Sequence, residues 1–301
     1  MSLSSPTRID TPLLERARRE ARLGDLLALV AVPLVLIVVF FVPERVTDRL
    51  VLYYLEPTVF TAYTTHFVHY DPGHLLGNLI GYGLLAGVGY LLAITGDHRR
   101  FFMTSFLAIV VVFPLALSGL NVAVPRNAVG YGFSGLNMAF LGVLALVLNE
   151  FLRERFPPAL ERRDVVIAYF LTVAAIALLA VPLTTATITL ATASFATAGV
   201  YAHRLAGRAG RLRAVCRGVL ERPGDGELAL AGVVIFVGYL FVAFPTEVVS
   251  GSTIVNLYAH FLGYALGFIG PYLALETGLF DERVVVGHPR PVERTELTPD
   301  A

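Results

Sequence analysis

Eight apolar runs, each about as long as a bilayer is thick, divide the chain: roughly 26–43, 74–95, 101–119, 134–152, 165–183, 186–203, 228–245 and 253–273. In hydrocarbon a backbone must satisfy its own polar groups, so an apolar run of about 20 residues reads as a crossing helix. The sixth run is rich in Thr and Ala between Thr184 and Ala202, but it carries no charge and the topology requires it. Hydrophobic residues make up 56% of the 301 residues, charged residues 15%, and the mean hydropathy is +0.70, which excludes an ordinary soluble domain. The expected fold is an all-α, polytopic transmembrane bundle.

Charge placement orients it. Arginines cluster at 16–22, 99–100, 153–163 and 204–217, while the connections near 120–133, 184–187 and 246–252 carry almost none. That alternation places both termini in the cytoplasm of a cell-membrane protein that contacts the lipid bilayer. The first run is preceded by Glu15, Arg16, Arg18, Arg19 and Glu20 and lies too late for a cleaved signal peptide, so it is expected to be retained. Formal net charge is zero and every one of the 23 basic residues is Arg, which argues against a nucleic-acid partner. The single cysteine, Cys216, rules out an internal disulfide.

The reading divides the chain into a cytoplasmic segment 1–25, a transmembrane domain 26–273, and a charged, Pro-rich tail 274–301 that is expected to be disordered. The connection from Pro43 to Tyr70 lies outside and mixes Glu44, Arg45, Asp48, Arg49 and Glu56 with apolar residues. It is expected to be structured or interfacial rather than a simple turn.

The informative polar residues fall at one depth on this topology. His74 and Asn78 begin the second span, Ser134 begins the fourth, and His260 is placed about two turns into the eighth; all three spans run inward from the outer face. Ser134 alone, between Gly135 and the Gly132-Phe133 pair, fits ordinary close helix packing. At a helix N-terminus, however, unpaired N–H groups and the positive dipole end meet whatever lies above the serine, as an oxyanion requires. Ala259, Gly263 and Gly267 repeat every four residues beside His260, and Gly135 and Ala139 do so beside Ser134. Two small-residue stripes bring helices within reach of a Ser–His hydrogen bond, although such stripes also serve plain packing. His74 and Asn78, four apart, share a helix face and serve either to bond helices together or to stabilise developing negative charge. His66, His69 and His74 make a histidine-rich stretch, but no His-Glu-x-x-His pattern and no clear carboxylate set accompany it, so no metal and no cofactor is expected.

The ordered set His69, His74-Leu75-Leu76-Gly77-Asn78, Gly132-Phe133-Ser134-Gly135 and Ala259-His260 with Gly263 and Gly267 resembles the rhomboid family of intramembrane serine proteases. The resemblance covers about two-thirds of the chain and implies a six-helix core. It implies that Ser134 is the nucleophile and His260 the general base, and that His74, Asn78 and the N–H groups of Ser134 and Phe133 form the oxyanion hole. No third carboxylate is implied. Three features depart from the family: Met138 stands where a tyrosine often packs on the imidazole, the Trp-Arg motif of the first outer loop is impossible without Trp, and about three helices rather than one separate Ser134 from His260. An inserted pair of helices preserves the orientation of His260; the expected insertion is 165–203, with 228–245 as the helix that gates substrate entry, the reverse assignment being the alternative.

The resemblance implies a substrate that is a transmembrane helix of another protein, cleaved near its outer end. The bond must first leave its helix, because a helical peptide bond is shielded by its own hydrogen bonds. Two other classes stand beside this expectation: a rhomboid-like pseudoprotease that binds membrane proteins without cutting them, and a transporter with a polar path. Spans 101–119 and 165–183 hold little beyond Ser and Thr, which disfavours a path. Oligomeric state, natural substrate and cleavage site are not written in the sequence.

Overall fold

The computed structural model describes residues 12–156, 160–207, 209–245, 249–250 and 253–280. In chain order its helices are α1 (Leu13–Glu20), α2 (Leu23–Phe40), α3 (Glu44–Thr47), α4 (Val59–Thr64), α5 (Pro72–Thr95), α6 (Arg99–Val111), α7 (Phe113–Val122), α8 (Ser134–Arg155), α9 (Val165–Leu179), α10 (Thr185–Ala206), α11 (Ala209–Glu221), α12 (Asp225–Ala243) and α13 (Leu257–Glu276). Two short antiparallel ladders join them, β1 (Leu52–Tyr53) with β2 (Val129–Gly130), and β3 (Val249–Ser250) with β4 (Thr253–Ile254).

Each apolar run is helical over most of its length. Among the described residues α2, α5, α8 and α12 are each long and apolar enough to cross a membrane, and a fifth span results if α6 and α7, bent by 47°, are counted as one. The single span expected at 101–119 is thus broken at Val112, next to Pro114, whose ring removes a backbone donor. The other three runs fall short by themselves. α9 has 15 residues, α10 is diluted by Thr, and α13 by Gly, Tyr and His260. The eighth run also starts late, because Thr253 and Ile254 are spent in a strand and Asn256 caps α13 by accepting from the Ala259 N–H at 3.0 Å. His260 therefore sits in the first turn of α13 and not two turns in.

α8 is the buried axis of the bundle, with Leu136 to Phe151 enclosed by α5, α6, α12 and α13. Large apolar side chains instead face outward along α2 (Leu27, Val30, Leu34, Val38) and α12 (Val234, Phe241, Val242), a distribution suited to lipid rather than water. α9 and α10 pack chiefly on each other, while α12 packs on α5 and α8. α1 also belongs to the bundle, lying on α5; the bundle thus begins before residue 25 and α13 ends at Glu276. The tail expected to be disordered from 274 is instead helical to Glu276 and in a turn to Phe280, and its remainder from Asp281, like the first 11 residues, lies outside the described residues.

Buried ion pairs gather at the end of the bundle where α2, α6 and α12 begin. Asp25 of α2 takes a two-pronged contact from Arg99 of α6, at 2.5 Å to each oxygen, and a hydrogen bond from the Tyr90 hydroxyl. Asp225, the first residue of α12, is bound by Arg155 of α8 and by Arg16 of α1. The polar residues singled out above occupy the opposite end.

Candidate functional site

The long connection before α5 is an ordered platform for the turn that carries Ser134. Its strand β1 pairs Leu52 with Gly130 and Tyr53 with Val129. Thr65 completes the clamp: its hydroxyl donates to the Gly130 carbonyl and accepts from the Leu52 N–H at 3.1 Å, and its carbonyl accepts from the Gly132 N–H at 3.0 Å. Gly132 then takes φ +105°, a left-handed conformation that favours glycine, and the chain enters α8 at Ser134. Space makes a second demand there, since a Cβ on Gly132 would lie 2.7 Å from Cε1 of His74. The His74 ring thus covers the turn immediately before the serine.

α5 begins with Pro72 behind Asp71, whose carboxylate accepts from the His74 N–H at 2.7 Å. One turn on, Asn78 is buried in a polar knot. Its Nδ2 donates to His69 Nε2 at 3.2 Å and to the His74 carbonyl at 3.0 Å, so both amide N–H bonds have partners. His69 Nε2 also accepts from the Phe133 N–H at 3.4 Å. Asn137, fully buried on α8, donates through Nδ2 to the Asn78 carbonyl at 3.0 Å and to Asn78 Oδ1 at 3.2 Å. The Phe133 N–H and the Asn78 amide, expected to face an oxyanion, are engaged here with His69 and the His74 carbonyl. At the start of α8 the Leu136 and Asn137 N–H groups bond to the Phe133 carbonyl at 3.0 Å, while those of Ser134 and Gly135 have no intrahelical acceptor.

α13 meets α8 backbone to backbone. A Cβ on Gly263 would overlap the Gly135 carbonyl oxygen, and one on Gly267 would overlap that of Ala139. Gly142 continues the seam, where a Cβ would lie 2.6 Å from the Phe268 nitrogen. Both stripes read from the sequence are therefore used, with Met138 against Gly263. Ser134 and His260 each lie one residue from this seam, next to Gly135 and Ala259. They are not hydrogen-bonded to each other: the bond made by the His260 ring is from Nδ1 to the Ala243 carbonyl, at 2.7 Å. The aromatic ring edge-to-face with His260 is Phe244, with centroids 6.0 Å apart, and not the residue at 138.

The three histidines of the early stretch do not converge. His66 turns to α7, where its Nε2 lies 3.0 Å from both the Pro114 carbonyl and the Ser118 hydroxyl, while His69 and His74 meet edge-to-face with centroids 4.9 Å apart. Among the described residues no three His, Cys, Asp or Glu side chains form a metal-binding group.

Sequence reasoning missed Asn137, Ala243 and Phe244. Asn137 had a signal, a polar residue three after Ser134 in an apolar helix. The Ala243 carbonyl had none, because every residue has one. No family model, curated protein or solved structure matches this chain.

Proposed function

We propose that this protein is an intramembrane serine endopeptidase of the rhomboid type, in which Ser134 attacks and His260 is the general base. The observation that supports the reading is the side-chain-free seam between α8 and α13, in which Gly135 and Ala259, the chain neighbours of Ser134 and His260, lie against each other. In this mechanism the Ser134 hydroxyl adds to the scissile carbonyl carbon while its proton passes to His260 Nε2. The oxyanion forms over the N-terminus of α8, where backbone N–H groups and His74 lie. The imidazolium next gives its Nε2 proton to the leaving amine. Water, deprotonated by the same nitrogen, then releases the acyl group from Ser134. The substrate is a transmembrane helix of another protein, unwound near the outer face, and both termini of the enzyme are cytoplasmic. The α9–α10 hairpin is taken as an addition to a six-helix core.

A second reading, a membrane-protein-binding pseudoprotease, draws on the engaged donors of Phe133 and Asn78 and on the unformed Ser134–His260 hydrogen bond. Catalytic hydrogen bonds are often loose before substrate binds, which favours the protease. The test is reaction of the purified full-length protein in detergent with a fluorophosphonate probe. Labelling of wild type that disappears in both Ser134→Ala and His260→Ala supports the protease. A well-folded wild type that takes no label supports the pseudoprotease.

A further inference from the structure

α12 ends where Pro245 forbids its continuation: Phe244, the residue before the proline, leaves the helical region at φ −122° and ψ 65°. The last carbonyls of a helix have no partner within it, and that of Ala243 is taken by His260 Nδ1 at 2.7 Å. A carbonyl only accepts, so Nδ1 carries the proton, and the neutral ring keeps its lone pair on Nε2. Nε2 is the nitrogen a serine hydroxyl needs. The C-terminal end of a helix is also the negative end of its dipole, which favours an imidazolium beside it.

We propose that the backbone carbonyl of Ala243 is the positioning group of His260, filling with main chain the place a carboxylate takes in three-residue catalytic sets. The proposal rests on the protease reading and adds α12 to the machinery. During attack the Ser134 proton moves to Nε2 and later leaves with the amine, while the Nδ1 proton stays in its bond to Ala243 throughout. The carbonyl's place is set from several sides. Asp225 pins the far end of α12 through Arg155 and Arg16, the Tyr239 hydroxyl fills the space over Gly81 of α5, and Phe244 presents its ring to the imidazole. Displacing the end of α12 from α13 would free Nδ1 and with it the choice of tautomer.

The first arm of the test reads the tautomer without any activity: histidine-selective 15N NMR of the full-length protein in lipid nanodiscs, with the His260 signals identified by their loss in His260→Ala. A protonated Nδ1 and an unprotonated Nε2 at neutral pH are expected; the opposite tautomer overturns the proposal. The second arm replaces His260 by Nδ1-methylhistidine, which keeps a basic Nε2 but cannot donate to Ala243. Fluorophosphonate labelling is expected to slow by about tenfold to ten-thousandfold, the upper figure being that for a lost carboxylate partner; an unchanged rate overturns the proposal. Should the wild-type serine take no label, the protease reading fails by itself, and the tautomer measurement still decides whether Ala243 orients the ring.

Discussion

Gly263 of α13 rests directly on Gly135 of α8, with no room for a Cβ beside the Gly135 carbonyl. The proposed reacting pair depends on this contact, because Ser134 is the residue before Gly135 and His260 lies one turn before Gly263. Substituting Gly263 by Ala must push the helices apart, at about 1–3 kcal/mol for overpacking. The expected outcome is a lowered melting temperature together with lost fluorophosphonate labelling. Gly87→Ala, where nothing lies within 4 Å, is the control that should leave both unchanged. Equal labelling of Gly263→Ala and wild type would break the link between the seam and the site.

Asn78 joins α5 to α8 through Asn137 and holds His69. Replacing it with Ala should slow labelling by on the order of ten- to a thousandfold if its amide turns to the oxyanion during reaction. The same change removes the bond from Asn78 Nδ2 to His69 and the one that Asn78 Oδ1 accepts from Asn137, at about 0.5–1.5 kcal/mol each, while the Asn137 bond to the residue-78 carbonyl and the Phe133 bond to His69 remain. A lower melting temperature with an unchanged labelling rate would restrict Asn78 to tying the helices together.

His69 lies in the connection before α5, and burial, with His74 nearby, pushes its pKa down to about 3. The unfolded chain takes up this proton near the ordinary histidine value of about 6.5. The folded protein does not, so the stability tied to neutral His69 is complete above about pH 6.5 and falls as pH drops toward 3. His66, lowered to about 4 by burial, adds a slope of the same sign. In His69→Gln the loss of melting temperature between pH 6.5 and 4 should therefore be smaller than in wild type but not absent. Parallel pH profiles for the two proteins would contradict the assignment.

Asp225 is buried between two guanidinium groups at the start of α12. Asp225→Ala leaves Arg155 and Arg16 without their carboxylate, and breaking a buried pair from one side costs about 3–5 kcal/mol. Thermal unfolding in detergent should show a large drop, whereas Glu161→Gln, at an exposed pair with Arg163, should show little. Equal effects would mean that the α12 anchor carries no special weight.

Helical class and the positions of the runs were legible because a chain in lipid must bond its own backbone, and the apolar runs mark where it does so. The break at Val112 had a local mark in Pro114, whereas the strand at Thr253–Ile254 was harder to see, since its pairing with Val249–Ser250 continues directly into an apolar run. Ser134, His74, Asn78 and His260 stood out for an energetic reason: polar side chains in apolar helices are costly and so are few. The glycine stripes were equally visible, because only residues without bulky side chains permit backbone contact between helices.

By itself the sequence determined which residues are available for chemistry and which helix faces come together, since both follow from polarity and side-chain size along a periodic chain. Only the tertiary structure decided the partners. Asn78 donates to His69, Asn137 donates to Asn78, and the Ala243 carbonyl holds His260. A hydrogen bond between residues 17 or 59 positions apart depends on how whole helices are placed, and a backbone carbonyl leaves no mark in the residue that carries it.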